Sequence, residues 1–321
     1  MNRTTLSAVV AGLIATLCGT AWAQPYPAKP VRVVIVFAPS GSTDIVGRTA
    51  FQKVGEQLNQ QFVIDNRPGG GGTVGAALVA KSPPDGYTIM VYSATLIASA
   101  HLYRNLPYDA LKDFIGITPV ARLVNILVVH PSMPVRTVKE LVDLARARPG
   151  EISYGSAGVG ALQHLSSSLL ANMTGTRMVH IPYKGGSLAG MATASGEIQM
   201  LLTPVSEVLP VLSAKRVRPV AVSSATRIAQ YPDLPTIGET VKGYEFVSWM
   251  GTFVPAGTPR QIVDRLNAEL GRAVADPGVA ANLTAQSLDP MHLSVDEFAK
   301  LLKSEHEKYA HVVKISGARL D

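Results

Sequence analysis

The chain has 321 residues, 47% of them hydrophobic, and a formal net charge of +6 from 29 Lys+Arg against 23 Asp+Glu. That is enough length and apolar content for more than one sizeable core, and it excludes a disordered chain. The basic residues are dispersed with no block of like charge, which excludes a nucleic-acid stripe and implies only a mild attraction for anions.

The first predicted element is a leader. Arg3 precedes the apolar run "LSAVVAGLIATL", and the small residues Ala21 and Ala23 stand at the −3 and −1 positions of a cleavage site after Ala23, so residues 1–23 read as a signal peptide and the mature chain as a periplasmic protein. The run is shorter than the roughly 20 apolar residues that span a bilayer. Cys18, the single cysteine, departs with the leader, and Leu17 stands before it where a lipoprotein signal needs a small residue. The mature chain therefore has no thiol, as suits an oxidising compartment.

Continuous apolar, β-branched runs then alternate with segments of helical period. Strands are predicted at Val31 to Pro39, Gln61 to Asn66, Tyr87 to Ser93, Leu123 to Pro131, Ile152 to Tyr154, Val179 to Tyr183 and Val217 to Ser224. Such runs belong to buried, largely parallel sheets. Between the first two strands, Val46, Ala50, Val54 and Leu58 fall four apart on one helix face. "TVKELVDLARARPG" opens with the capping box Thr137/Glu140 and closes at Pro149-Gly150. In "GTPRQIVDRLNAELGRAVADP", Thr258 is the expected N-cap, Pro259 the first helical residue and Pro277 the stop, and a last helix starts from Ser294/Glu297. The fold class is α/β, and about 298 mature residues divide naturally into two lobes whose boundary periodicity alone does not locate.

"DNRPGGGGTVGAALVA" holds Gly70, Gly72 and Gly75 in the G-x-G-x-x-G spacing of dinucleotide turns. Arg67-Pro68 interrupts the strand-to-glycine junction, and no acidic residue follows at the distance that would hold a ribose. Asp85 comes too early and belongs to a Pro-Asp-Gly turn, so no nucleotide cofactor is expected. The glycines supply backbone that approaches closely, leading to a helix start at Thr73 whose amides favour an anion.

Other strand-to-helix junctions carry the same design. Ser40, Gly41, Ser42, Thr43 and Asp44 sit where the first strand gives way to the first helix and form a neutral cradle for a carboxylate, with helix capping by Ser42 or Thr43 as the plainer role. "YGSAGVGALQHL" repeats the pattern with Ser156, Gly158 and Gly160 ahead of a helix bearing Gln163 and His164. "IPYKGGS" places Tyr183 to close over a ligand and Lys184 to supply charge, and Thr203 is a weaker candidate of the same kind. Gly155-Ser156-Ala157-Gly158 lacks the nucleophile-elbow spacing. His306 and His311 are five apart, about 140° around a helix, and the other histidines are scattered, so no metal site is expected. Without a nucleophile and base set, the residues favour binding over chemistry.

The motifs "YPAKPVRVVIVFAPSGSTD", "VIDNRPGGGGTVGA", "KSPPDGYTIM", "YDALKDFIGI", "YGSAGVGALQHL", "IPYKGGS", "YPDLPTIGE" and "WMGTFVPAGTP", in this order, resemble the tripartite tricarboxylate transporter substrate-binding proteins, also called Bug receptors. The resemblance implies a two-lobed, type II-like Venus flytrap fold with mainly parallel sheets, hinging on two crossing strands. Lobe 1 would be 24–122 plus 249–321 and lobe 2 would be 123–248. It further implies a ligand carboxylate held by amides, hydroxyls and waters in the loops of Ser40 to Asp44, Ser93 to Thr95, Ser156 to Gly160 and Tyr183. The expected activity is non-enzymatic capture of a small organic acid by a monomer, for delivery to membrane permease subunits. A sensory module for a membrane kinase is the alternative, and a periplasmic hydrolase a more distant one. Ser40, Ser168, Leu188 and Ala192 stand where the family commonly has Gly, Glu, Pro and Asp.

Overall fold

The structure is a computed structural model that describes residues 26–316, with side chains up to Lys314. The leader and its cleavage site lie outside the described residues. In chain order the elements are β1 (Val31–Ile35), α1 (Ser42–Leu58), β2 (Phe62–Asn66), a 3-10 turn (Gly70–Gly72), α2 (Thr73–Ala80), β3 (Thr88–Ser93), α3 (Thr95–Leu102), β4 (Phe114–Val129), α4 (Val138–Ala147) and β5 (Ser153–Ser156). They continue with α5 (Leu162–Thr174), β6 (Val179–Pro182), α6 (Gly186–Ser195), β7 (Met200–Pro204), α7 (Val205–Ser213), β8 (Arg218–Val222), α8 (Ile237–Thr240), β9 (Val247–Pro255), α9 (Arg260–Ala275), α10 (Pro277–Ala285), β10 (Leu288–Pro290) and α11 (Val295–Ser316).

Ten strands form one mixed sheet in the order β2-β1-β3-β9-β4-β7-β5-β6, with β8 and β10 also on β4. The ends are parallel, as the apolar runs predict: β1 lies parallel to β2 and β3, and β5 parallel to β6 and β7. The centre is antiparallel, because β9 runs against both β3 and β4 and β7 runs against β4. A fully buried strand looks the same in sequence in either orientation, so periodicity could not distinguish the two.

One long strand unites the halves. β4 pairs with β9 from Phe114 to Val124, then with β7 and β8 from Asn125 and Ile126 to Val129. Both of its faces are covered, which explains its nearly unbroken apolar sequence. Leu127 and Val129 belong to the main core, while Ile126 and Val128 join a second core with Ala189, Leu201, Val205 and Val208 beneath α6 and α7.

The caps follow the sequence in part. Thr137/Glu140 forms the reciprocal box at α4, and Ser294/Glu297 exchange the same bonds at α11. Thr258 departs from expectation, since its hydroxyl donates to the Pro255 carbonyl and the helix begins at Arg260 with Pro259 as N-cap. Pro277 opens a new helix as well as closing one: Asp276 caps α10 by accepting from the Gly278 and Val279 amides. No helix among the described residues is long and apolar enough to cross a membrane.

Candidate functional site

Where the two halves face each other, two adjoining chambers open, with Phe37, Ala38 and Ala157 lining both. The inner one, about 50 Å³, is walled by the first residues of helices: Ser42 and Thr43 of α1, Thr95 of α3, Gln163 of α5, Gly186 of α6 and Glu207 of α7. Helices that leave the same edge of a sheet point their N-termini at one region, where unsatisfied amides and the positive dipole ends favour negative charge. The outer chamber, about 700 Å³, is bounded on one side by Pro68 to Gly72 and Tyr103 and on the other by Ala157 to Val159, Tyr183 and Lys184.

The four consecutive glycines are needed for the shape of that outer wall. Gly69 to Gly72 all have φ between 55° and 133°, and a Cβ on Gly71 would lie 2.9 Å from the Val159 carbonyl across the cleft. Two tyrosine hydroxyls hold the turn, Tyr92 donating to the Gly71 carbonyl and Tyr103 to the Gly70 carbonyl, each at 2.7 Å. The sequence resembles a dinucleotide turn, yet the loop is a close wall of the cleft.

Gly41, Ser42, Thr43, Ser93 and Thr95 all line the inner chamber. Ser93 donates to Thr95 Oγ1 at 2.9 Å, and Thr43 Oγ1 donates to Met250 Sδ at 3.3 Å. Ser40 lies beside the chamber at φ 68°, the left-handed conformation glycine adopts more easily, and its carbonyl accepts from Ser187 Oγ across the cleft at 3.1 Å. Asp44 turns away and supports the loop from behind. It pairs with Arg48 and accepts from Asn66 Nδ2 and the Ser40 amide. Burial works to raise its carboxyl, but the hydrogen bonds from Arg48, Asn66 and Ser40 together hold it below the usual aspartate value.

In the other half, Gly158 and Tyr183 line the outer chamber, and the Tyr183 hydroxyl donates to Glu197 Oε1 at 2.7 Å. Burial, then Glu197, pushes that hydroxyl up to about 12. Thr203 is fully buried behind Glu207, to which its hydroxyl donates. Ser156 is also fully buried and opens on neither chamber; Gly160 gives its amide to His164 Nδ1 at 3.0 Å.

The histidines are not scattered in space. His164 and His180 stack with ring centres 4.0 Å apart, His180 Nε2 is 2.6 Å from Ser156 Oγ, and His101 packs on His306 at 4.2 Å. Among the described residues no group of three or more His, Cys, Asp or Glu is placed to hold a metal. Burial lowers His164 to about 4, and burial with the His164 ring beside it lowers His180 to about 3. A histidine so depressed is a poor base at neutral pH, and the pair instead braces the Ser156 to Gly160 loop.

This brace has a pH signature. The unfolded chain takes up protons at both histidines below about pH 6.5, while the fold refuses them until about pH 4 and 3, so the stability they confer is complete above pH 6.5 and is lost as pH falls through that window. Discounting for the partial exposure of His180, the loss by pH 5 is on the order of 2 kcal/mol. Urea melts of the wild type against H164Q/H180Q from pH 7.5 to 4.5 should show a flatter slope in the double variant. Equal slopes would remove the pair from the account.

Glu207 is the functional residue the sequence did not expose. As the third residue of α7 it looks like an ordinary acid complementing a helix dipole. In space it reaches across the cleft. Its carboxylate accepts from Ser42 Oγ at 3.1 Å, from Gln163 Nε2 at 2.6 Å, from Thr203 Oγ1 and from the Ser42 amide.

The sequence matches the family described as Tripartite tricarboxylate transporter family receptor over residues 46–318. It is 37% identical over 290 residues to the UPF0065 protein in the tcbD-tcbE intergenic region of a Pseudomonas species, covering 90% of this chain and 86% of that one. It is 32% identical to BugT of Bordetella pertussis, covering all of both chains (100% each). Among solved structures, an R. palustris protein with adipate superposes with TM-score 0.89 at 34% identity, over 92% of this chain and 100% of that one. MatC of Rhodopseudomonas palustris with bound malate gives 0.85 at 27% identity, over 90% of this chain and 100% of that one. Together with the two-chambered cleft on a mixed α/β sheet, these matches establish that the chain belongs to the tripartite tricarboxylate transporter receptor family, the solute-binding family that includes the Bug proteins.

Proposed function

We propose that this chain captures a small organic carboxylate in the periplasm, between lobe 1 (24–122 plus 249–321) and lobe 2 (123–248), and presents it to the permease subunits of a tripartite transporter. The observation that carries the reading is the construction of the cleft. Both chambers take walls from both halves, and those walls are helix first turns, hydroxyls and glycine-rich backbone suited to an anion. The related structures with adipate and malate support a carboxylate ligand. The proposed lobe boundaries fall close to where β4 changes partner, between Val124 and Asn125, and to the start of β9 at Val247.

Ser42, Thr43, Ser93 and Thr95 from lobe 1 and Gln163 and Gly186 from lobe 2 would meet the ligand, with Ser40, Gly158 and Tyr183 at its outer side. Closure follows only if the ligand binds the closed form more tightly than the open one, which requires contacts from both lobes. A thermal-shift panel of mono- and dicarboxylates, amino acids and amides on the mature protein tests this. A compound at about 100 times its dissociation constant adds about 2.7 kcal/mol, or roughly 5 °C in midpoint. A selective shift by one class is the expected result, and no shift with any class would contradict capture.

A further inference from the structure

We propose that Glu207 determines which acids the cleft accepts: it fills the anion position of the inner chamber, so that this end of the ligand must donate hydrogen bonds or be uncharged, and a second carboxylate is refused there. The inference rests on the receptor reading above and names the ligand class within it, a monocarboxylate whose other end is an ammonium or a primary amide.

Four observations converge on this. Among the residues lining the inner chamber, Glu207 is the one titratable side chain, the rest being apolar, glycine, hydroxyl or amide. Its position is where the first turns of α1, α5, α6 and α7 meet, so it takes up the positive field those helices supply. The site is built around it, because a Cβ at Gly186 would stand 1.7 Å from its Oε2, leaving glycine as the residue that lets the carboxylate seat against α6. Its donors come from both halves, Ser42 from one and Gln163 and Thr203 from the other.

Burial pushes the Glu207 carboxyl up, against hydrogen bonds from Thr203, Gln163 and Ser42 that favour its ionised form, so a ligand carboxylate enters this confined, poorly solvated chamber only as a proton is taken up between the two acids. An N–H donor needs no such proton. The Ser42 hydroxyl is the longest side-chain donor to Glu207 at 3.1 Å and also accepts from Ser206 Oγ, so it can yield its place to a ligand nitrogen and remain bonded. The ligand's own carboxylate then faces the outer chamber, which the exposed Lys184 lines. The cleft therefore presents the Glu207 carboxyl in its inner chamber and Lys184 at its outer one.

The test is isothermal titration of the mature protein and E207Q with succinate and adipate, each beside its monoamide and the ω-amino acid of the same length. At pH 7.5 the wild type should bind a monoamide or ω-amino acid at least about tenfold more tightly than the matched dicarboxylate, and E207Q should reverse or abolish that preference. A second measurement needs no variant. Titration of the wild type in two buffers of different ionisation enthalpy should show net proton uptake with the dicarboxylate and none with its monoamide. Equal affinity for dicarboxylate and monoamide without proton uptake, and an unchanged ratio in E207Q, would overturn the proposal while leaving the receptor reading intact. No binding of any compound to either protein would remove both.

Discussion

Replacing Gly186 with alanine is expected to abolish high-affinity ligand binding while leaving the fold intact. The backbone of Gly186 lies outside the left-handed region, and alanine is the better helix former by about 1 kcal/mol, so nothing local opposes the substitution. The obstacle is across the chamber. The added methyl would stand 1.7 Å from Glu207 Oε2, 2.3 Å from its Cδ and 2.8 Å from Gln163 Nε2, and the carboxylate must leave its seat. Displacing it strands the Ser42, Gln163 and Thr203 donors and fills the inner chamber. Losing a buried hydrogen-bonded network of this kind costs about 2–5 kcal/mol, shared between the stability of the free protein and the binding of a ligand that docks against it. Calorimetry with the ligand that gives the largest thermal shift would show the loss, and a single cooperative melt, its midpoint lowered because the stranded donors are buried in the free protein too, would show that the fold survives. Undiminished affinity in G186A would mean that the inner chamber is not where the ligand docks.

Phe298→Ala should have the largest effect on stability. Phe298 of α11 is fully buried and plugs into the antiparallel β4/β9 pair, with Trp249 edge-on at 5.2 Å and Phe253 at 5.5 Å. The pair is shaped to receive it: a Cβ at Gly116 or Gly251 would stand 2.7 Å from its ring. Removing the ring leaves a cavity floored by glycines that cannot collapse into it, so the cost should approach the upper part of the 3–5 kcal/mol range for Phe→Ala, about 4 kcal/mol. Urea unfolding with an unchanged m-value would measure it. A loss below about 1 kcal/mol would mean that α11 does not clamp the strands that join the halves.

These two sites also show where sequence reasoning reached and where it stopped. The parallel ends of the sheet were legible because Val31 to Ile35, Thr88 to Ser93 and Val179 to Pro182 are short, branched and bounded by turns. β4 was read only from Leu123, because Pro119 argues against a central strand; the ladder tolerates it at a register shift between Pro119 and Ala121. β9 was seen as a motif and not as a strand, since Gly251 weakens the pattern, and the reason for that glycine is Phe298, which comes 47 positions later in the chain.

In the site, the hydroxyls of Ser42 and Thr43 could be placed from sequence because strand ends of an α/β sheet lie at one edge, while Ser93 and Thr95 came only from the family resemblance. Asp44 belonged to the same run, yet Arg48 one helical turn on, together with Asn66, takes its carboxylate. Gln163 and Glu207 are 44 positions apart, and only the fold brings them to one point.

Capture of a ligand between the two halves of the sheet is the central expectation. Its most direct test is a crystal structure of the mature protein with the acid that gives the largest thermal shift. One molecule is expected to touch Ser42 or Thr95 on one side and Gln163 or the Ala157 to Val159 loop on the other, with its nitrogen or neutral end toward Glu207. A ligand bound to one half alone, or outside the two chambers, would contradict it.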